Sequence, residues 1–292
     1  MISQQLVNGL FLGAVYALFA IGYTLVFGVL DILNLAHAAI FMLAAFATWS
    51  LLAAGIPLVI AAPLAILGAG LLGIALDRIA FAPLRKRNAP NLIALISSIG
   101  MAIIFGAIAR GIYGPDERHF TLGFLEAAPF HLGPLTFTTV QLVILANAIV
   151  MMLGLAWVIR ATPLGRAIRA VAEDRVAAAL LGIDLERTIA ATFFIASALG
   201  GTAGILTALQ YDSVQIDMGS QIELKGLAVI ILGGMGSITG AVIGGFVIGM
   251  VETLAIALGY SQWRDAIAFG VMFLILILRP TGLFGKRALR TA

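Results

Sequence analysis

Eight apolar runs, at about 6–28, 36–54, 57–79, 91–112, 139–159, 189–209, 239–259 and 263–279, dominate this chain. A bilayer core about 30 Å thick takes about 20 residues of α-helix to cross. Each run meets or approaches that length, and together they occupy more than half of the 292 residues. In hydrocarbon no solvent satisfies a bare backbone N–H or C=O, so runs of this kind are expected to fold as helices. A soluble alternative fails on area: with 62% hydrophobic and only 11% charged residues, a globule of this size has too little interior to hide the apolar surface. The expectation is therefore an all-α integral membrane protein. It is one transmembrane domain over 1–292 with about eight spans, and composition disfavours soluble enzymes, disordered chains and nucleic-acid binders.

The first run is not expected to be a cleavable signal, because no Lys or Arg occurs before Arg78 and the run from Leu6 to Leu30 is too long. The chain has no cysteine, so disulfides and thiolate chemistry are excluded. Its three histidines, His37, His119 and His131, are too scattered to hold a transition metal.

The basic residues set an orientation. Arg78, Arg85, Lys86 and Arg87 follow the third run. Arg160, Arg166, Arg169, Arg175 and Arg187 lie between the fifth and sixth, and Arg279, Lys286, Arg287 and Arg290 close the chain. These groups hold 13 of the 17 Lys and Arg. The loop 113–138 carries Asp116, Glu117 and Glu126, and the loop 210–224 carries Asp212, Asp217 and Glu223. The excess of Lys and Arg in cytoplasmic loops places 80–90, 160–188 and the C-terminus in the cytoplasm and the two acidic loops and the N-terminus outside. The implied topology crosses its membrane many times. Parity then demands one more crossing, since only three clear runs separate 160–188 from the tail. The stretch 225–238 must supply it as a short or re-entrant helix turning at Gly233, Gly234, Gly236 and Ser237. Irregular backbone at membrane depth lines a cavity or is buried in protein, so these residues are candidates for a pathway. Close helix packing through small residues is the competing reading.

Three other places carry candidate chemistry. The first is 160–188, where Thr162 is a suitable N-cap, Pro163 fits the first helical position, and Gly182 fits the stop of a single helix. It reads either as an interfacial helix or as a docking element for a cytoplasmic partner. Its contact residues are then Arg169, Ala172, Glu173, Asp174, Arg175, Gly182 and Asp184. Exposed charge pairs contribute only about 0–1 kcal/mol, so single charge changes there should be mild and the small-residue surface around Ala172, Ala177–Ala179 and Gly182 should matter more. The second place holds Asp31, Asn34 and His37, three apart and so on one face if helical. Asn34 is either the N-cap of span two or, with His37, a gating element. The third is Glu252, an acid deep in the seventh run. Intramembrane carboxylates are functional candidates by default, and Lys225 or Arg264 are possible partners. No catalytic constellation and no P-loop is present, so this chain cannot hydrolyse ATP by a P-loop of its own.

Four ordered segments resemble the LivH-type branched-chain amino acid ABC transporter permeases. They are Asn8 to Gly28 with Asn34-Leu-Ala-His37; Arg169-Ala-Val-Ala-Glu-Asp174 through Leu181-Gly-Ile-Asp184; Leu232 to Gly245 with Glu252; and Leu278-Arg-Pro-Thr-Gly-Leu-Phe-Gly285. The sequence departs from the family at Ala38, where glycine is usual and where a backbone needing glycine would be strained. The resemblance implies an importer subunit without cofactors of its own, with ATP and Mg bound by two cytoplasmic ATPase subunits. It also implies a second, homologous permease chain and an extracytoplasmic substrate-binding protein. Solutes of this class are branched-chain or related amino acids, small carboxylates or amides, and nothing in the sequence forms a readable clamp for a carboxylate or ammonium. The competing reading is an ion-coupled secondary transporter or channel built on Glu252 and the glycine break.

Overall fold

A computed structural model of the chain describes residues 2–120, 130–132 and 135–285. Glu126 and the terminal basic residues Lys286, Arg287 and Arg290, used above for orientation, lie outside the described residues. The helices are α1 (Ile2–Leu30), α2 (Ala36–Ala53), α3 (Leu58–Leu76), α4 (Ala82–Lys86), α5 (Asn91–Tyr113), α6 (Thr139–Ala161), α7 (Pro163–Glu173), α8 (Arg175–Leu180), α9 (Leu185–Tyr211), α10 (Met218–Gly233), α11 (Ile238–Ala257) and α12 (Arg264–Leu278). A π-helical stretch, Asp77–Phe81, joins α3 to α4. Short strands β1 (Arg118–His119), β2 (Phe130–Leu132), β3 (Leu135–Phe137) and β4 (Ser213–Val214) pair as β1–β4 and β2–β3 at one end of the bundle, called here the strand end. The opposite end carries α4, α7 and α8 and is called the basic end.

Among the described residues, eight helices are long and apolar enough to cross a membrane, and they match the eight runs. The bundle is layered by burial. Of the most apolar window of α1, 83% is buried, and of α9 78%, whereas for α12 the figure is 6%. A helix that is apolar all round is either a core helix or one facing lipid. Burial makes α1 and α9 the core and leaves α5, α6 and α12 on the outside. Small residues let α1 and α11 meet at backbone distance. A Cβ on Gly13 would lie 2.8 Å from the Cα of Phe246, and Cβ atoms on Gly245 and Gly249 would lie 2.5 Å from the backbone nitrogens of Ala17 and Gly13. This seam replaces the hydrophobic drive that lipid cannot supply between helices.

The parity problem is resolved by α10. It spans 16 residues, roughly 24 Å at 1.5 Å per residue, and runs from the strand end to the basic end. It starts at Met218 rather than at 225, so the acidic loop is shorter than the sequence suggested. Gln221 and Lys225, which made this stretch look like loop, point into a cavity, where polar groups need not face lipid. The chain turns at Gly234, with φ +99°, and Gly236, with φ +83°, a backbone region open to glycine. Ser237 then caps α11 by accepting from the N–H of Gly240.

Two further corrections concern helix ends. The segment 163–182 is not one helix. Asp174 is extended, and its Oδ1 accepts from the N–H groups of Val176 and Ala177, which starts α8 and makes an elbow with α7. The Asp31–Asn34–His37 stretch is not helical throughout. The helix α1 stops at Leu30, Asp31 takes φ +52° on the surface, and the residue before α2 is Leu35 with no side-chain cap. Asn34 therefore does not cap span two. Ala38 sits inside α2 with no positive φ, so alanine is accommodated there without backbone strain.

Candidate functional site

At the basic end the chain builds a hairpin of two short helices on the bundle. Thr162 accepts from the N–H of Gly165 and Pro163 opens α7, as the sequence reading has it. Gly165 lets α7 fold onto the last turn of α6, where a Cβ would strike the Val158 and Ile159 carbonyls. Ile168 and Val171 face inward, and the Arg169 guanidinium donates to the Ile159 carbonyl. The guanidinium of Arg175 donates twice to the Val29 carbonyl at the end of α1, at 3.2 Å from Nε and 2.9 Å from Nη2. Both arginines that sequence reasoning offered to an outside partner are thus engaged within the chain, and Ala178 is buried. What the hairpin presents outward is Ala172, Glu173, Ala177 and Ala179 with an apolar tip. In that tip Val176 is 71%, Leu180 85% and Leu181 81% exposed. Gly182, at φ +84° with open space around it, ends α8, and Asp184 caps α9 by accepting from the N–H of Arg187.

The entry of α9 is fastened to the end of α3. The fully buried carboxylate of Asp77 receives both terminal nitrogens of Arg85, and Arg85 also bonds Glu186 at 3.3 Å. Sequence reasoning took Arg85 only as one of a basic cluster and missed this clamp. The signal was available: one acid, Asp77, lies between a long apolar run and four basic residues.

Asn34 and His37 are both buried, and neither lines the large cavity described below. His37 packs between Phe19 and Tyr23, with ring centroids 4.8 and 5.6 Å away, and under Gly200, where a Cβ would lie 2.5 Å from the ring. The α1–α2–α9 core closes around it. The glycine turn makes close contacts of its own. Gly233 packs on Gly240, and Gly234 on Gly285 of the segment after α12. The N–H groups of Leu283 and Phe284 cap the Leu232 and Gly233 carbonyls. None of Gly233, Gly234, Gly236 and Ser237 lines the large cavity; Gly233 and Gly234 are closely packed, whereas Gly236 is exposed and serves the turn through its positive φ.

The cavity lies elsewhere, in the strand-end half. It has a volume of about 650 Å³ and reaches from exposed Glu117, Tyr211 and Gln221 inward to Tyr16 and Phe41. Amides crowd its mouth: Gln141 donates to Asn8 at 3.2 Å, and Asn8 to Gln5 at 3.3 Å. On its wall lies Lys225, whose ammonium donates to Glu252 Oε2 at 2.9 Å, to the Tyr16 hydroxyl at 3.0 Å and to Asp265 Oδ1 at 3.0 Å. The Tyr16 hydroxyl donates in turn to Glu252 Oε2 at 2.9 Å. Of the two partners the sequence offered for Glu252, the structure selects Lys225. Tyr16 and Asp265 were missed, because only the packing of α1, α10, α11 and α12 brings them together.

A mostly helical, many-span chain with a cavity open at one end and a projecting helical hairpin at the other has the parts that a membrane transport protein needs. Residues 5–276 match the family described as branched-chain amino acid transport system / permease component, and the chain belongs to that family. It is 37% identical to the high-affinity branched-chain amino acid transport system permease protein LivH of Escherichia coli K12, over 97% of this chain and 95% of the relative. The same figures hold for the permease protein BraD of Pseudomonas aeruginosa. A probable LivH of the archaeon Methanocaldococcus jannaschii is 28% identical over 94% and 92% of the two chains. The shorter match to the autoinducer 2 import system permease protein LsrC of an Enterobacter strain, 28% identical over 65% of this chain, shows that similar sequences serve a different solute.

Proposed function

We propose that this chain is the permease subunit of an ATP-driven importer for branched-chain amino acids or closely related small solutes, in a bacterial inner membrane. It works with a second, homologous permease, two cytoplasmic ATPase subunits that bind ATP and Mg, and an extracytoplasmic binding protein that carries most of the selectivity. The basic end, with α7 and α8, faces the cytoplasm, and the cavity opens outside. The observation that carries this reading is the apolar tip of α8: Val176, Leu180 and Leu181 project from a helix that is otherwise fastened to the bundle. Such a tip fits a cleft on an ATPase, and the Arg175 bond to α1 and the Arg85 clamp to α3 pass its movement to the spans. An ion-coupled transporter would need a carboxylate whose charge is not already compensated, whereas the Glu252 charge is paired with the Lys225 ammonium.

Photo-crosslinking from position 180 or 181 tests this in the membrane. Capture of a P-loop ATPase subunit is expected. Crosslinks to phospholipid alone would make α8 an interfacial anchor and remove the coupling role.

A further inference from the structure

The charges around Lys225 form a balanced set with unequal freedom. Glu252 is 2% exposed in its side chain and locked between Lys225 and Tyr16, while Asp265 is 52% exposed and held by Lys225 at 3.0 Å and Arg264 at 3.6 Å. Two cations thus face two anions, one anion fixed and one exchangeable. A partly buried set of zero net charge, with Lys225 and Glu252 buried and Arg264 and Asp265 half-exposed, favours a solute of zero net charge, which leaves no ion uncompensated, over an anion or cation of the same shape.

The residues next to this cluster extend the pattern. Leu12, Ile222 and Ile256 all line the cavity. They stand one helical turn toward the strand end from Tyr16 on α1, Lys225 on α10 and Glu252 on α11 respectively. An apolar belt on three helices therefore borders the ion cluster, and the amides of Gln5 and Asn8 lie further out along α1. A solute with adjacent opposite charges and an apolar tail matches that order of surfaces.

We propose that this chain itself holds a zwitterion-binding site. In it Lys225 and Arg264 take the solute's carboxylate, Asp265 releases Lys225 and takes its ammonium, and the Leu12–Ile222–Ile256 belt takes its side chain. Glu252 and Tyr16 are positioning residues that keep the Lys225 ammonium in place. This rests on the importer reading for the direction of access and adds a selectivity step after the binding protein.

The test uses the purified permease–ATPase assembly without binding protein and without nucleotide, probed with radiolabelled L-leucine. Saturable binding is expected, with the deaminated and decarboxylated analogues, 4-methylpentanoate and 3-methylbutylamine, at least tenfold weaker as competitors. Asp265→Asn, at an exposed position, should weaken leucine at least tenfold and bring the carboxylate analogue level with it. Lys225→Gln with Glu252→Gln removes the inner pair together, preserves size, and should weaken leucine comparably. Leucine binding unchanged in Asp265→Asn, analogues that compete as well as leucine, or no saturable binding by the wild type would each overturn the site. ATP-driven uptake with the binding protein, measured on the same wild-type preparation, reports separately on the importer reading. Its presence without leucine binding leaves the importer standing and the site refuted.

Discussion

Replacing Arg175 by alanine removes the only side-chain bonds from α8 to α1 among the described residues. Val29 is one of the last residues of α1, so its carbonyl has no partner within the helix, and the Arg175 fork supplies two, at 3.2 and 2.9 Å. A hydrogen bond to a charged group contributes about 1.5–3 kcal/mol. Because Arg175 is half-buried and both bonds share one acceptor, the lower half of that range applies, about 2 kcal/mol. That amounts to roughly a thirtyfold fall in the ratio of docked to undocked hairpin, at about 1.4 kcal/mol per factor of ten. Hydrogen exchange of the 163–184 amides should quicken by about that factor. Substrate-stimulated ATP hydrolysis in the assembled complex should fall toward the basal rate while the basal rate itself persists. Arg175→Lys, which keeps the charge but loses the planar fork, should lie between. Unchanged exchange and unchanged stimulation in Arg175→Ala would refute the tie, and would restore the expectation from sequence that charge changes in this segment are mild.

Other substitutions probe the scaffold and the hairpin. Gly245→Val should destabilise the detergent-purified protein by about 1–3 kcal/mol or more through overpacking of the α1–α11 seam, read as a lowered thermal midpoint. Arg85→Met strands the buried Asp77 carboxylate and should cost about 3–5 kcal/mol, with much of the loss recovered in Arg85→Met combined with Asp77→Leu; a double variant no better than the single one would contradict this. Gly182→Ala and Gly182→Trp both carry the left-handed backbone penalty, but only Trp adds bulk beside the α8 tip. Stimulated ATPase activity should survive Ala and be abolished by Trp, and equal behaviour would assign the effect to the backbone.

The spans were legible because membrane crossing needs little more than length and apolarity, and the cap at Thr162–Pro163 was legible because capping acts over three residues. The start of α10 was hidden because Gln221, Glu223 and Lys225 read as loop until a cavity gives two of them a wet side. The elbow at Asp174 was hidden inside an alanine-rich run whose helix propensity runs straight through it. The Lys225 and Asp77 clusters depend on which faces of separate helices meet, and nothing in local periodicity carries that. The glycine turn at 234–236 was legible but its surroundings were not, since the same glycines serve a pathway or a close contact equally well, and the contact of Gly234 with Gly285 is a tertiary one that no local signal carries.

Uptake of radiolabelled leucine into proteoliposomes tests the whole reading most directly. The vesicles hold this chain with its partner permease and ATPases, with binding protein outside and ATP sealed inside. Uptake should require both ATP and binding protein and should continue when proton and sodium gradients are collapsed. Uptake driven by an ion gradient, with neither ATP nor binding protein present, would contradict an ATP-driven importer and establish an ion-coupled transporter in its place.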